Sequence, residues 1–286
     1  MANLKEIRNR ISSVSSTMQI TSAMKMVSAA KLKKAQDAIT AMRPYSDKLT
    51  ELLQSLSATL DANSGSKFAE QRDVNKVLLV SITSNRGLAG AFNSNIIKET
   101  NRLINQEYAG KEVSIVAIGK KTNDAFKKGS LVIANKSEIY DDLTFDNVAE
   151  IAELLMEKFI NEEADKIVLV YNKFKNAATQ EIMTEQFLPI VPMEKDAEAE
   201  LDYIFEPSKE EIVKQLIPKS LKTQLFKALR DSFASEHGAR MTAMHKATDN
   251  ATELRDQLKL TYNKARQASI TNEILEIVGG AEALNN

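Results

Sequence analysis

Helix-breaking residues are almost absent from both ends of this chain. Residues 3–60 contain no glycine and a single proline, Pro44, and beyond Pro218 the remaining 68 residues contain no proline at all. Glycine and proline cost about 1 and 3 kcal/mol in a helix interior, so their scarcity permits two very long helices. The apolar spacing agrees. Leu4, Ile7, Ile11, Val14 and Met18 step by three and four, and Leu32, Ala35, Ile39 and Met42 resume the pattern. That is the seam of a coiled coil. Between the two runs the seam positions are Thr21, Lys25 and Ser28, which predicts a stretch where the helix changes partner or becomes exposed. At the other end, Met244, Ala247, Ala251, Leu254, Leu258, Thr261, Ala265 and Ala268 step likewise. These side chains are small and allow close helix approach. Gly279-Gly280 reads as a helix stop or kink.

The middle has another texture. The Val/Ile-rich runs 76–83, 113–119, 130–135 and 166–174 have strand length, and helical patterns separate them around 96–104, 123–128 and 148–159. Alternating strands and helices predict a doubly wound, mostly parallel Rossmann-like α/β domain. Residues 180–192 read as an added edge strand ended by Pro189 and Pro192. The expected division is an N-terminal helix over 1–60, an α/β domain over 68–193, and a C-terminal helix over 209–286 that pairs with the first. Residues 61–67 and the acidic 193–211 read as connections. At ~1.5 Å per residue the terminal helices would reach roughly 85 and 110 Å, against a radius of gyration near ~19 Å for a compact chain of this size. Such a rod needs a sheath of other subunits.

Composition narrows the function. There are no cysteines, which excludes disulfides, thiolate chemistry and thiolate metal sites. No run of apolar residues is long enough to span a membrane, and the charged N-terminus lacks an apolar signal core, so export is not expected. The net charge is −1, yet charge is segregated: residues 1–36 carry seven bases against Glu6 alone, while 136–211 carry 20 acids and seven bases. The basic N-terminal helix suits an acidic partner or is a solvated face.

The stretch "TSNRGLAGAFNSN" (83–95) follows a strand and precedes a helix, the position of a phosphate-binding loop. Its chemistry argues otherwise. Gly87 and Gly90 are separated by two residues, and Ala91-Phe92 follow where a Walker loop needs Lys-Ser/Thr. A dinucleotide fingerprint lacks its third glycine here, and the GxxG of KH domains joins two helices. The glycines are read as forming a sharp turn, with Arg86 exposed at its tip. His237 and His245 lie eight apart on the last helix, too far for one metal without further ligands. No catalytic set, cofactor site or metal site is expected.

Two stretches exceed what a generic helix surface needs. "TSAMKMVSAAKLKKAQ" (21–36) sets Met24 and Met26 among small residues ahead of Lys31, Lys33 and Lys34; "YNKARQASITNEILEIVGGAEAL" (262–284) sets Arg266-Gln267 beside Ser269, Thr271 and Glu273. With "SNRGLAGAFN" and "ASEHGARMTAMHKATDNA" (234–251) in between, the chain resembles, over nearly its whole length, the gamma subunits of F-type ATP synthases. The resemblance implies a non-catalytic rotor shaft. An antiparallel coiled coil would stand inside a ring of three alpha and three beta subunits, and the α/β domain would pack on the epsilon subunit and the ring of c subunits. Ion flow turns the c ring, and the shaft drives the beta sites that make ATP. The complex would be peripheral on the cytoplasmic face of the bacterial cell membrane. It also implies residue roles. Met24, Lys25, Lys31, Lys33, Arg86, Arg240, Arg266, Gln267, Thr271 and Glu273 would meet the catalytic subunits, and Tyr203 would lie at the foot near the c ring. The cysteine-bearing insert of chloroplast-type members is missing. A basic coiled coil that binds nucleic acid is the alternative, opposed by near-neutral total charge and the lack of interleaved aromatics; a small nucleotide switch built on the GLAG loop is another.

Overall fold

The computed structural model describes residues 4–57, 67–129, 131–190 and 209–284. A helix α1 (Leu4–Ser57) leads to strand β1 (Lys76–Ile82), helix α2 (Phe92–Arg102), strand β2 (Glu112–Ile118), helix α3 (Lys120–Phe126) and strand β3 (Val132–Asn135). Then come helix α4 (Phe145–Ile160), strands β4 (Lys166–Phe174) and β5 (Gln180–Leu188), and helix α5 (Lys209–Leu284). The expected strand and helix positions hold to within a few residues. The exception is the predicted break at Gly279-Gly280, because α5 runs on through both to Leu284. Pro44 and Pro218 also sit inside their helices.

The five strands form one sheet in the order β3-β2-β1-β4-β5. β1 is parallel to both β2 and β4, β2 is parallel to β3, and β5 adds to the edge antiparallel to β4. Strand order reverses at β1, as in a doubly wound fold. Alternation along β1 aims Leu78, Val80 and Ile82 at one face and Val77 and Leu79 at the other, all buried. The first face is covered by Val148, Ile151, Leu155 and Phe159 of α4, and by Ile217, Leu221, Leu225, Ala228 and Leu229 of α5. The second is covered by Ile96 of α2, Leu103 just beyond it and Phe126 of α3. Both faces being dry explains why the parallel strands read as unbroken apolar runs.

Two compact units emerge. One comprises Ala29–Arg240; the other comprises residues up to Ser28 together with those from Met241 onward. The divisions fall inside the long helices, whereas the sequence placed them at 60 and 209. On α5 the reason is its apolar face between Ile217 and Leu229, which is a layer of the sheet's own core.

In the second unit α1 and α5 run antiparallel. Thr21 and Thr248 share a 2.8 Å hydroxyl hydrogen bond, Lys25 Nζ lies 3.3 Å from His245 Nδ1, and the Thr252 hydroxyl donates to Met18 Sδ at 3.3 Å. Of the two expectations for the polar middle of the α1 seam, exposure does not hold, since Thr21 and Ser28 are 9% and 2% accessible, and the division between the two units falls after Ser28. Each hydroxyl also bonds a carbonyl of its own helix, Met18 O and Met24 O, which satisfies it without water. On α5 the seam is Met244, Thr248, Ala251, Arg255, Leu258, Tyr262, Ala265 and Ser269. Every second position lies one residue beyond the predicted one, and Leu254 is 47% exposed.

Gly119 closes β2 at φ +112°, and a Cβ there would meet the Thr83 carbonyl oxygen at 2.1 Å. That carbonyl belongs to the neighbouring strand end, where the Thr83 amide donates to Ile118 O at 2.8 Å, so neither group can retreat. Gly119→Ala is expected to cost about 3–5 kcal/mol from combined backbone strain and overlap, read as a lowered urea midpoint with unchanged slope.

Candidate subunit-interaction site

The 83–91 loop leaves β1 at the carboxyl edge of the sheet. Its path is set by side chains: the Ser84 amide donates to Asn93 Oδ1 at 2.9 Å, and the Ser84 hydroxyl donates to Arg86 O at 2.6 Å. Asn85 Nδ2 donates to Ser137 O at 3.0 Å while Asn85 Oδ1 accepts from the Lys120 amide, also at 3.0 Å. Gly90 takes the left-handed conformation, φ 55°, as a turn glycine does. Gly87 does not, and a Cβ there would touch nothing. The second left-handed residue is instead Leu88, φ 62°, a conformation costing a side-chain-bearing residue about 1–2 kcal/mol. Leu88 is also 66% exposed. Nothing in the sequence marked it. Ala89 and Phe92 turn inward and pack on Ala239 of α5.

Arg86 is exposed at the loop's tip, as expected. Arg240 is not a surface residue. It is buried, and its guanidinium donates both to the Gly87 carbonyl and to the Glu236 carboxylate one turn earlier on α5. Burial raises the Glu236 carboxyl above the usual carboxylate range, opposed first by Arg240 and then by Lys31 and Arg86. Two of the expected contact residues, Lys31 on α1 and Arg86 on the loop, therefore act on one buried carboxylate. Glu236 itself carried no sequence signal beyond its place in the 234–251 motif.

The same helix fills the crevice where doubly wound sheets hold their ligands, outside the carboxyl ends of the strands at the reversal point between β1 and β4. Asn172 near the end of β4 donates to Phe92 O at 3.2 Å, and Ser235 of α5 donates to Asn172 O at 3.0 Å. Gly238 brings α5 so close that a Cβ would stand 3.2 Å from Ala177 Cα.

The remaining expected residues are spread along the helices. Met24 and Lys25 are half-buried; Lys31 and Lys33 are exposed, Lys33 lying 3.9 Å from Asp37. Arg266, Gln267, Thr271 and Glu273 are exposed on α5. Tyr203 lies outside the described residues. Exposed apolar side chains accompany them: Ile20, Met26 and Val27 on α1, and Ile270, Ile274, Leu275, Ile277 and Val278 on α5. Among the described residues no acidic, His or Cys group of three is placed to hold a metal, and no helix is long and apolar enough to cross a membrane.

A family model described as ATP synthase matches residues 3–284. Over 285 residues the chain is 73% identical to the ATP synthase gamma chain of Flavobacterium psychrophilum, covering 99% of both proteins, and over 286 residues it is 73% identical to that of Flavobacterium johnsoniae, covering all of both. The chain belongs to the ATP synthase gamma-chain family. Among solved structures it is similar to a chain of the Euglena gracilis mitochondrial ATP synthase rotor, with TM-score 0.66 and 22% identity over 93% of this chain and 98% of that one. It is also similar to a chain of the same organism's OSCP/F1/c-ring assembly, with TM-score 0.69 and 21% identity over 98% and 94%. These show the same fold in chains of 21–22% identity.

His237 of this gamma-family chain is packed edge-on against Phe233, ring centroids 4.5 Å apart, and is 5% exposed with Nδ1 unpartnered. Burial first, then Lys31 and Arg240, lower its pKa from 6.5 to about 4. The folded chain thus resists a proton that the unfolded chain accepts. Stability is complete above the unfolded value and falls as pH drops from 6.5 toward 4, by ~3 kcal/mol in all. His237→Gln is expected to remove that slope in urea unfolding measured between pH 7 and pH 4.5; an unchanged slope would refute it.

Proposed function

We infer that the chain is the central-stalk subunit of an F-type ATP synthase and acts as its non-catalytic rotor. Its coiled-coil unit stands within a ring of three alpha and three beta subunits. Its α/β domain contacts the epsilon subunit and the c-subunit ring, at the cytoplasmic face of the membrane. Membership of the gamma-chain family carries this reading, and three physical features fit it. α5 packs over the carboxyl edge of the sheet at β4, which suits a subunit that works through contacts rather than through a ligand of its own. The exposed apolar side chains between Ile270 and Val278 give this end of α5 a surface suited to being covered by a partner. The cations Lys31, Lys33, Arg86 and Arg266 are exposed, as contacts to acidic surfaces must be.

Single exposed ion pairs are worth about 0–1 kcal/mol, so no one lysine sets the torque. Stiffness and asymmetric shape transmit it, while charge steers the register in which the beta sites are driven. Met24, Lys25, Thr271 and Glu273 lie along the helices that would turn against those subunits, and Tyr203 belongs to the foot. The combined substitution Arg266→Ala and Gln267→Ala removes two exposed polar groups and no core packing. It is expected to leave the assembled complex intact and to lower ion-driven ATP synthesis severalfold in membrane vesicles. Unimpaired synthesis in that variant would sink the assignment of these residues.

A further inference from the structure

We propose that Glu236 and Arg240 form a latch that fixes the 84–91 loop in the one conformation that offers Arg86 and Leu88 together to an acidic, apolar-spotted surface of a neighbouring subunit. The proposal rests on the coupling function above and adds two positioning residues and one contact residue, Leu88, to it.

The loop's hydrogen bonds divide into two anchors. Ser84, Asn85 and Asn93 hold its stem. At the tip, the Gly87 carbonyl is held by the Arg240 guanidinium, which reaches out of the helix core for that purpose. Arginine is suited to this because its rigid fork serves two acceptors at once; the other acceptor is Glu236. With its carbonyl so fixed, Gly87 directs the next residue into the left-handed region, and that residue is a leucine. A leucine held there persists only where its surroundings impose the conformation. It gains nothing within the chain for it, since its side chain points into solvent. Ala89 and Phe92, immediately after, are pinned against Ala239, so Leu88 stands on a pedestal rather than a hinge. Arg86, exposed two residues before Leu88, places positive charge beside the apolar knob. A surface matching this tip carries carboxylates around a shallow apolar hollow.

The test uses the full chain and the reconstituted complex. In the full chain, Arg240→Lys and Glu236→Gln are expected to speed amide hydrogen exchange at residues 86–89 about tenfold while β1 and β4 exchange as before. Unchanged loop exchange in both variants would overturn the latch. Leu88→Gly, which keeps the turn and deletes the knob, is expected to raise the unfolding midpoint of the chain yet lower ions pumped per ATP hydrolysed at least twofold in the complex. A merely structural Leu88 would not separate the two readouts, so coupling unaffected by Leu88→Gly would overturn its contact role. Arg240→Lys should add no further loss in a complex already carrying Arg86→Ala and Leu88→Gly; additive losses would show that Arg240 does not act through the loop. Failure of the rotor reading is distinguishable, because it would appear in the Arg266/Gln267 variant while loop exchange still responded to the latch.

Discussion

The packing of α5 on the sheet is the constraint on which the α/β unit depends. A doubly wound sheet has two apolar faces, and α2, α3 and α4 do not cover both: Ile217, Leu221, Leu225 and Leu229 of α5 supply the missing layer. The same helix then passes over the carboxyl edge of the sheet, where Ser235 and Gly238 are small enough to let its backbone approach β4 and the turn after it. A larger residue at 238 would lift the helix, open the crevice and withdraw Arg240 from the loop. One close helix–sheet contact therefore completes the core, occupies the ligand crevice of the fold and sets the conformation of the GLAG loop.

Burying Glu236 with Arg240 is not an obvious route to stability. Desolvating both charges costs several kcal/mol, which their attraction offsets only with good geometry and with the remaining donors satisfied. Here the second donor of the fork meets the Gly87 carbonyl, so the pair connects helix to loop as well as charge to charge. An apolar pair of equal volume would pack as well and would leave the loop tip free. The unpartnered Nδ1 of His237 beside it is the price of this polar neighbourhood in a core position.

How much of this was legible follows from what each pattern reports. Strands buried on both faces announce themselves as apolar runs, and the absence of glycine and proline announced the long helices. Periodicity does not say what a helical face packs against: the Ile217–Leu229 stripe has the same spacing whether it meets a helix or a sheet, so α5 read wholly as shaft. On α5 the seam slipped by one at every second position because hydropathy favoured Leu254 over Arg255. The aliphatic stem of arginine covers apolar surface while its charged end leaves it, and Arg255 Nη1 lies 3.5 Å from Met18 Sδ. Thr21 and Ser28 marked a break in the apolar seam without telling a change of partner from exposure; helix carbonyls satisfy their hydroxyls, so both stay buried. The inward turn of Arg240 and the left-handed Leu88 have no local signature, since both are imposed by residues about 150 positions away along the chain.

The GLAG loop shows how one sequence pattern can serve opposite ends. In nucleotide-binding folds a glycine-rich turn after the first strand exposes backbone amides to phosphate. Here Gly90 supplies the turn, and the stem is tied down by side chains, the Ser84 amide donating to Asn93 and the Lys120 amide of α3 donating to Asn85. The tip presents a cation and an apolar side chain, Arg86 and Leu88, both exposed. A left-handed leucine stands where a phosphate loop would keep glycine, which fits the proposed contact between proteins better than an anion site. Gly87, between Arg86 and Leu88, meets no crowding within the chain, so nothing in the fold itself requires a glycine there.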